Sequence, residues 1–206
     1  MPVITDISQQ LKNKDIYSVF IDGKFALSLS GSQLAEQSLK TDQHISAQQL
    51  GKLKELYTGS KCYNSALRYL ALSPRSTSQL SDYLGRKGYS GTQITQAVAK
   101  LTSIGYLNDN EFARLWVQNR MRLNPKSAME LRAELTKKGL AKEIIDAAIA
   151  ELDEDDQLRA IGQIIERKSR QTAYRDKQKL LRYLAQKGYS YNLVKKAFES
   201  TDFYQE

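Results

Sequence analysis

Hydrophobic positions recur along this chain in two periods. Near the start, IYSVFI (Ile16–Ile21) and KFALSL (Lys24–Leu29) are β-prone runs that flank Asp22-Gly23. Asp-Gly between such runs predicts a hairpin with a type I′ turn, which needs positive φ at both central residues. A two-residue turn places Phe20 opposite Phe25, Ser18 opposite Leu27 and Ile16 opposite Leu29, a mostly apolar face that should pack on a helix. Ser30–Ser38 reads as a short helix and Ser46–Tyr57 as a longer one, with Ser46 as N-cap. Gly59-Ser60 is expected to end this segment.

From Lys61 onward the spacing is helical. Ala66, Leu67 and Leu70 recur at three and four, and Pro74 stops that helix. Thr77 or Ser78 can cap the next, which carries Leu80 and Leu84. Gly88 sits where a helix C′ glycine belongs, and Ser90 can cap a helix that buries Ile94, Ala97, Val98 and Leu101. The pattern then repeats. Asn108 or Asp109 can cap a helix holding Phe112, Leu115 and Trp116, and Pro125 breaks it. Leu131, Leu135 and Gly139 follow, then Ile145, Ala148 and Ile149. A third round has Ile161, Ile164 and Ile165, then Leu180 and Leu184, then Gly188, Val194, Ala197 and Phe198.

Three ungapped 22-residue blocks, Leu80–Leu101, Leu131–Leu152 and Leu180–Thr201, carry this repetition, and their glycines lie 51 and 49 residues apart. Such a period signals a repeat architecture. Ala97, Ala148 and Ala197 coincide in the alignment, which implies close helix approach in each unit. Ala141 replaces the serine found at 90 and 190, so the middle cap should be weaker. The expected fold is mainly α: tandem three-helix repeats, helix-turn-helix-like, in an elongated curved stack, with an N-terminal β-hairpin and short helices. The expected divisions are residues 1–60 for the hairpin segment, then 61–107, 108–153 and 154–206 for the repeats.

Charge sharpens the picture. The chain of 206 residues carries a net charge of +8. Residues 1–60 balance six basic against six acidic side chains, whereas 61–150 hold fourteen against seven. In the last part, five acids lie within Glu151–Asp156, and eleven basic residues follow between Arg159 and Lys196 against Glu166 and Asp176. Basic repeats suggest a polyanionic partner, most often nucleic acid. The candidate surface is Arg114, Arg120, Arg122 and Lys126, with Arg132 and Lys137, because no acid lies between Arg114 and Lys126. Lys87, Lys138 and Lys187 occupy the same turn position in the three blocks. A lysine there also complements the helix dipole, so each has a purely structural reading of equal weight.

Catalytic chemistry finds little footing. His44 is a lone histidine in a polar stretch, and Cys62 reads as a small core filler. Asp153–Asp156 lacks the glycine and terminal glutamate of a calcium loop and reads as the acidic start of a helix. No phosphate-binding GxxxxGK[ST] or GxGxxG occurs. No enzyme, cofactor or metal is expected. A single cysteine, no apolar leader and no apolar run of about 18 residues make a cytoplasmic protein without membrane contact the economical expectation.

Two stretches, ALRYLALSPRSTSQLSDYLGRKGYS and IGYLNDNEFARLWVQNRMRLNPKSAMELRAELTKKGL, closely resemble the RecX regulatory proteins. The opening YSVFIDGKFALSLS resembles that family's hairpin, and the resemblance covers nearly the whole chain. It implies three tandem three-helix repeats and a regulator, usually an inhibitor, of the RecA recombinase in DNA repair and homologous recombination. Such proteins bind RecA filaments on single-stranded DNA and suppress ATP hydrolysis and strand exchange. The resemblance carries no catalytic residues. Single-stranded DNA is the expected nucleic acid, with duplex DNA as a second form, and the free protein is expected as a monomer. The competing reading is a helix-turn-helix transcriptional regulator that uses one block as a recognition helix.

Overall fold

The structure, a computed structural model, describes residues 1–171 and 176–200. Thr201, the last position of the third block, lies outside the described residues. Two compact units form, one from Met1–Leu72 with Ser81–Lys100 and the other from Ser73–Leu80 with Leu101–Glu206.

The first unit opens with an antiparallel sheet of β1 (Ile4–Gln9), β2 (Ile16–Ile21) and β3 (Lys24–Ser30), in that order. The hairpin forms as expected, with Asp22 at φ 49° and Gly23 at φ 75°. Phe20 pairs with Phe25, but the next pairs differ from expectation. Val19 lies opposite Leu27 and Tyr17 opposite Leu29, through a bulge between Val19 and Phe20. The reason is pattern. In the unbulged register Val19 and Ile21 would point to one face while Leu27 and Leu29 pointed to the other. One extra residue, Ala26, brings all four onto the buried face. With Ile4, Ile45 and Leu53 they form the sheet core. The strand β1 was not legible, because in ITDISQ only Ile4 is fully buried.

The helix α2 (Ala47–Leu70) follows the short α1 (Gly31–Glu36) and packs on β3, which supplies the helical support the hairpin needs. Its capping box joins Ser46 to Gln49. It runs unbroken through Gly59-Ser60, where the sequence suggested an end. A mid-helix glycine costs only about 1 kcal/mol relative to alanine, against about 3 for proline. Burial of Leu53 before it and of Cys62 and Ala66 after it fastens both halves. The helices α3 (Thr77–Arg86) and α4 (Gly91–Ser103) complete the first block. Ser76, not Thr77 or Ser78, caps α3, exchanging hydrogen bonds with Gln79. Ser90 and Gln93 do the same for α4.

Two three-helix groups make up most of the second unit: α5 (Asp109–Leu123), α6 (Ala128–Lys137) and α7 (Lys142–Ala150), then α8 (Glu154–Ser169), α9 (Lys177–Gln186) and α10 (Tyr191–Glu199). Each buries its own core, one around Phe112, Leu131, Leu135 and Ile149, the other around Ile161, Ile165, Leu180 and Phe198. Asn108 caps α5 and Ser190 caps α10. Ala141 makes no side-chain cap at α7, as its chemistry dictates. Asp153 caps α8, and Glu154, Asp155 and Asp156 fill its first turn, so the acidic run starts a helix.

Gly88, Gly139 and Gly188 adopt φ of 84°, 76° and 90°. In each turn the following N–H reaches back to a leucine carbonyl, Leu84, Leu135 or Leu184, at 3.2–3.3 Å. This is the helix-ending left-handed turn that glycine adopts without steric cost. At two of the turns a second demand is added. A Cβ on Gly139 would lie 2.3 Å from the Cβ of Ser78, and one on Gly188 would lie 2.8 Å from the Cβ of Met129. A Cβ on Gly88 would meet nothing within 4 Å. Ser78 and Met129 are equivalent positions, the second residues of α3 and α6. In both places the cap serine also reaches the neighbouring turn: Ser76 Oγ donates to the Lys138 carbonyl at 2.5 Å, and Ser127 Oγ donates to that of Lys187. Both serines are buried.

Equilibrium urea unfolding should therefore separate the three glycines. Gly88→Ala should cost about 1–2 kcal/mol, the left-handed penalty alone. Gly139→Ala should cost clearly more, because the opposing atoms are anchored next to backbone. Gly188→Ala should fall between, since its approach to the Met129 Cβ is wider, 2.8 Å against 2.3 Å to the Ser78 Cβ at Gly139. Equal losses at all three would contradict the junction geometry.

Candidate partner interface

Amphipathic α5 exposes a basic face because its apolar residues, Phe112, Ala113 and Val117, turn inward. The sequence placed Arg114, Arg120, Arg122 and Lys126 there without an intervening acid, yet the fold supplies acids from elsewhere. Glu134 of α6 accepts from Trp116 Nε1 at 2.8 Å and Arg120 Nε at 2.9 Å, and it also pairs with Lys126. Burial pushes the Glu134 carboxyl up, but the hydrogen bonds from Lys126, Trp116 and Arg120 outweigh this and hold it below the usual carboxylate range. Its side chain is only 20% exposed, so screening by solvent is limited.

Other candidates are also engaged. Arg114 makes a two-point contact with Glu111, at 3.0 and 2.6 Å, and that hydrogen bonding lowers the Glu111 pKa. Arg132 pairs with Asp146, and Lys187 pairs with Glu130 at 2.6 Å. The hydrogen bond to Glu130 raises the Lys187 pKa. Lys138 lies 4.1 Å from the centre of the Trp116 ring, on which Arg120 also packs at 4.5 Å. These are cation–π distances. Arg122 and Lys137 are exposed and have no ion pair among the described residues. Lys87, in the first unit, is exposed and lies 5.8 Å from the Tyr83 ring.

The structure thus brings Arg120, Lys126 and Lys138 together around Glu134 and Trp116, and it leaves Arg122 and Lys137 outside that cluster. The Lys138 and Lys187 turns double as inter-block joints through their carbonyls. Sequence reasoning missed Glu134 and Glu130, although Glu130 stands in the capping-box position three residues after Ser127, a signal present in the chain. Trp116 is half-buried against the α5–α7 core. Cys62 is buried, burial raises its pKa, and its thiol faces the Gln93 carbonyl at 3.7 Å. Among the described residues no cluster of three or more metal-ligating side chains forms, and no helix is long and apolar enough to cross a membrane.

Glu134→Gln should destabilise the second unit by about 1–3 kcal/mol, the cost of disturbing a charged, partly buried hydrogen-bond hub. The Glu134 carboxyl binds its proton less tightly folded than unfolded. Its contribution is therefore complete above the unfolded carboxylate range, about pH 4.3, and is lost as pH falls through the lower folded value. Stability curves between pH 3 and 7 should show a shallower acid loss in the variant. Parallel curves would remove Glu134 from this role.

Four family models match the chain in order. The RecX N-terminal domain covers residues 2–46, and the first, second and third RecX three-helix domains cover 62–101, 108–149 and 153–198. The regulatory protein RecX of Lactobacillus johnsonii is 32% identical over 98% of this chain and 76% of its own length. That of Listeria monocytogenes serotype 4a is 32% identical over 94% and 74%. A crystal structure of regulatory protein RecX superposes with a TM-score of 0.79 at 22% identity, covering 97% of this chain and all of that one, which shows a shared fold. RecX from Lactobacillus salivarius gives 0.63 at 26% identity over 68% and 94%.

Proposed function

The chain belongs to the RecX family of regulatory proteins, and from that premise we propose that it binds RecA filaments on single-stranded DNA and inhibits their ATP hydrolysis and strand exchange. The observation that carries this reading is the ordered match of all four domain models, backed by relatives aligned over nearly the full chain. The excess of basic residues between 61 and 150 supports a nucleoprotein partner. Repeated modules supply several weak contacts, which reinforce one another through effective concentration. No bond-making step belongs to the proposal; the protein acts by occupying its partner.

Ion pairing narrows the surface. Arg120 and Lys126 are tied to Glu134, Arg132 to Asp146, Lys187 to Glu130 and Arg114 to Glu111. Moving any of these onto a phosphate would strand an acid. Arg122, Lys137 and Lys87 carry no such cost and are the first contacts to expect.

The test is RecA ATPase on single-stranded DNA with added protein. Wild type should suppress hydrolysis, and Arg122→Glu with Lys137→Glu should weaken suppression while leaving the Glu134 cluster intact. Each lost phosphate contact should reduce the salt slope of binding by about one. No effect of the wild type on ATPase, together with duplex binding that loses about 1–3 kcal/mol per mismatched base pair, would favour the transcriptional-regulator reading instead.

A further inference from the structure

A cleft of ≈ 620 Å3, lined by polar and apolar groups in nearly equal measure, lies within the first unit, walled by α1, α2 and α4. It is a built feature. Gln33 and Gln93 each accept from the N-cap N–H of their own helix, at 2.9 and 3.0 Å. Each then donates from its amide to α2: Gln33 to Ser60 Oγ at 3.0 Å, and Gln93 to Thr58 Oγ1 at 2.7 Å. The starts of α1 and α4 are thereby fastened to α2 on either side of Gly59. That residue lines the cleft. It keeps an ordinary helical backbone, and a Cβ built on it would meet nothing within 4 Å. Neither backbone geometry nor packing within the chain accounts for a glycine at a position where alanine would strengthen the helix. Its effect is to widen the cleft.

The lining has a definite chemistry. Gln37 and Gln96 lie beyond the pinned glutamines and are exposed to the opening. Each amide offers a donor and an acceptor side by side, the pattern that matches the edge of a base. Tyr63 presents a ring, with Lys100 Nζ 4.7 Å from its centre. Lys52 and Lys100 place cations on two walls, and Glu55 adds an acceptor for an exocyclic amine. The volume suits a small polar ligand, and a base still stacked in a duplex could not enter. The geometry points to a docking site for one nucleotide of single-stranded nucleic acid, with its base against Gln37, Gln96 and Tyr63 and its phosphates near Lys52 and Lys100.

This contact concerns direct binding of a single strand by a surface separate from Arg122 and Lys137. Its test contains no recombinase, so it can fail independently of the regulatory reading. A 20-residue oligodeoxycytidylate with one photoreactive 5-iododeoxycytidine should be photo-crosslinked to the full chain and the adduct mapped. The expected adduct lies on the peptides holding Tyr63 or Gln96–Lys100. Gly59→Leu, which fills the cleft, should lower single-strand affinity about tenfold, on the order of one lost base-stacking contact. Gly59→Ala should raise the melting temperature, and a fall would show that the glycine serves the fold. Gln37→Leu with Gln96→Leu changes only exposed side chains and should weaken binding in the same direction. Adducts confined to residues beyond Leu101, or unchanged affinity in both the Gly59→Leu and the double-glutamine variants, would overturn the assignment, including the case of a polypeptide occupant.

Discussion

The second unit depends on a hydroxyl donated to the end of a helix. Ser76 and Ser127 each cap a helix, accept from a backbone N–H of its first turn, and donate a hydroxyl hydrogen bond to the C-cap carbonyl of the equivalent helix in the next block. A helix end buried without partners leaves carbonyls unsatisfied, at about 1–3 kcal/mol each. The serine settles two helix ends at once. It can do so only where the neighbouring turn lacks a Cβ, which is why Gly139 and Gly188 answer both to backbone conformation and to packing. The series stops at the third block, whose equivalent cap is Asp176. A carboxylate caps its own helix but has no hydrogen to donate to a neighbouring carbonyl.

Electrostatics follows from that framework. Once α6 is fixed by Ser127, Glu134 and Glu130 on the same helix face cations from different directions. The net charge between 61 and 150 is therefore not spread evenly over the surface. Much of it is held in short pairs with an architectural duty, and the cations left for a partner are fewer than composition suggests. The distinction matters because exposed pairs contribute little to stability, whereas a charge drawn from a satisfied hub strands its partner.

The readable part of the chain was the part governed by local rules. Helical spacing gave the three blocks, C′ glycines gave their turns, and Asp-Gly gave the hairpin turn. The errors share one cause, which is that tertiary context decided between local options. The bulge at Val19 was hidden because turn length and face alternation disagree by one residue, and burial won. Gly59-Ser60 looked like a stop, but packing on both sides carried α2 through. Ser76 displaced Thr77 and Ser78 as the cap, exchanging bonds with Gln79 while its hydroxyl meets the Lys138 carbonyl from a distant block. At the interface the cations were legible, but their counter-ions come from another helix, and no spacing rule within α5 announces Glu134.

The unbroken α2 has a mechanical meaning. At 1.5 Å per residue, 24 residues make a rod about 36 Å long. One family-level domain ends at residue 46, just before this helix, and the next begins at 62, inside it. Sequence modularity and physical modularity therefore part company here. A hinge needs a segment whose φ and ψ can change cheaply, and a hydrogen-bonded helix offers none. Within the first unit the sheet, through β3, and α4, through Gln93, are fastened to a common shaft, so a torque applied to one is delivered to the other. A boundary written in the sequence at residue 62 is not a place where the molecule can bend.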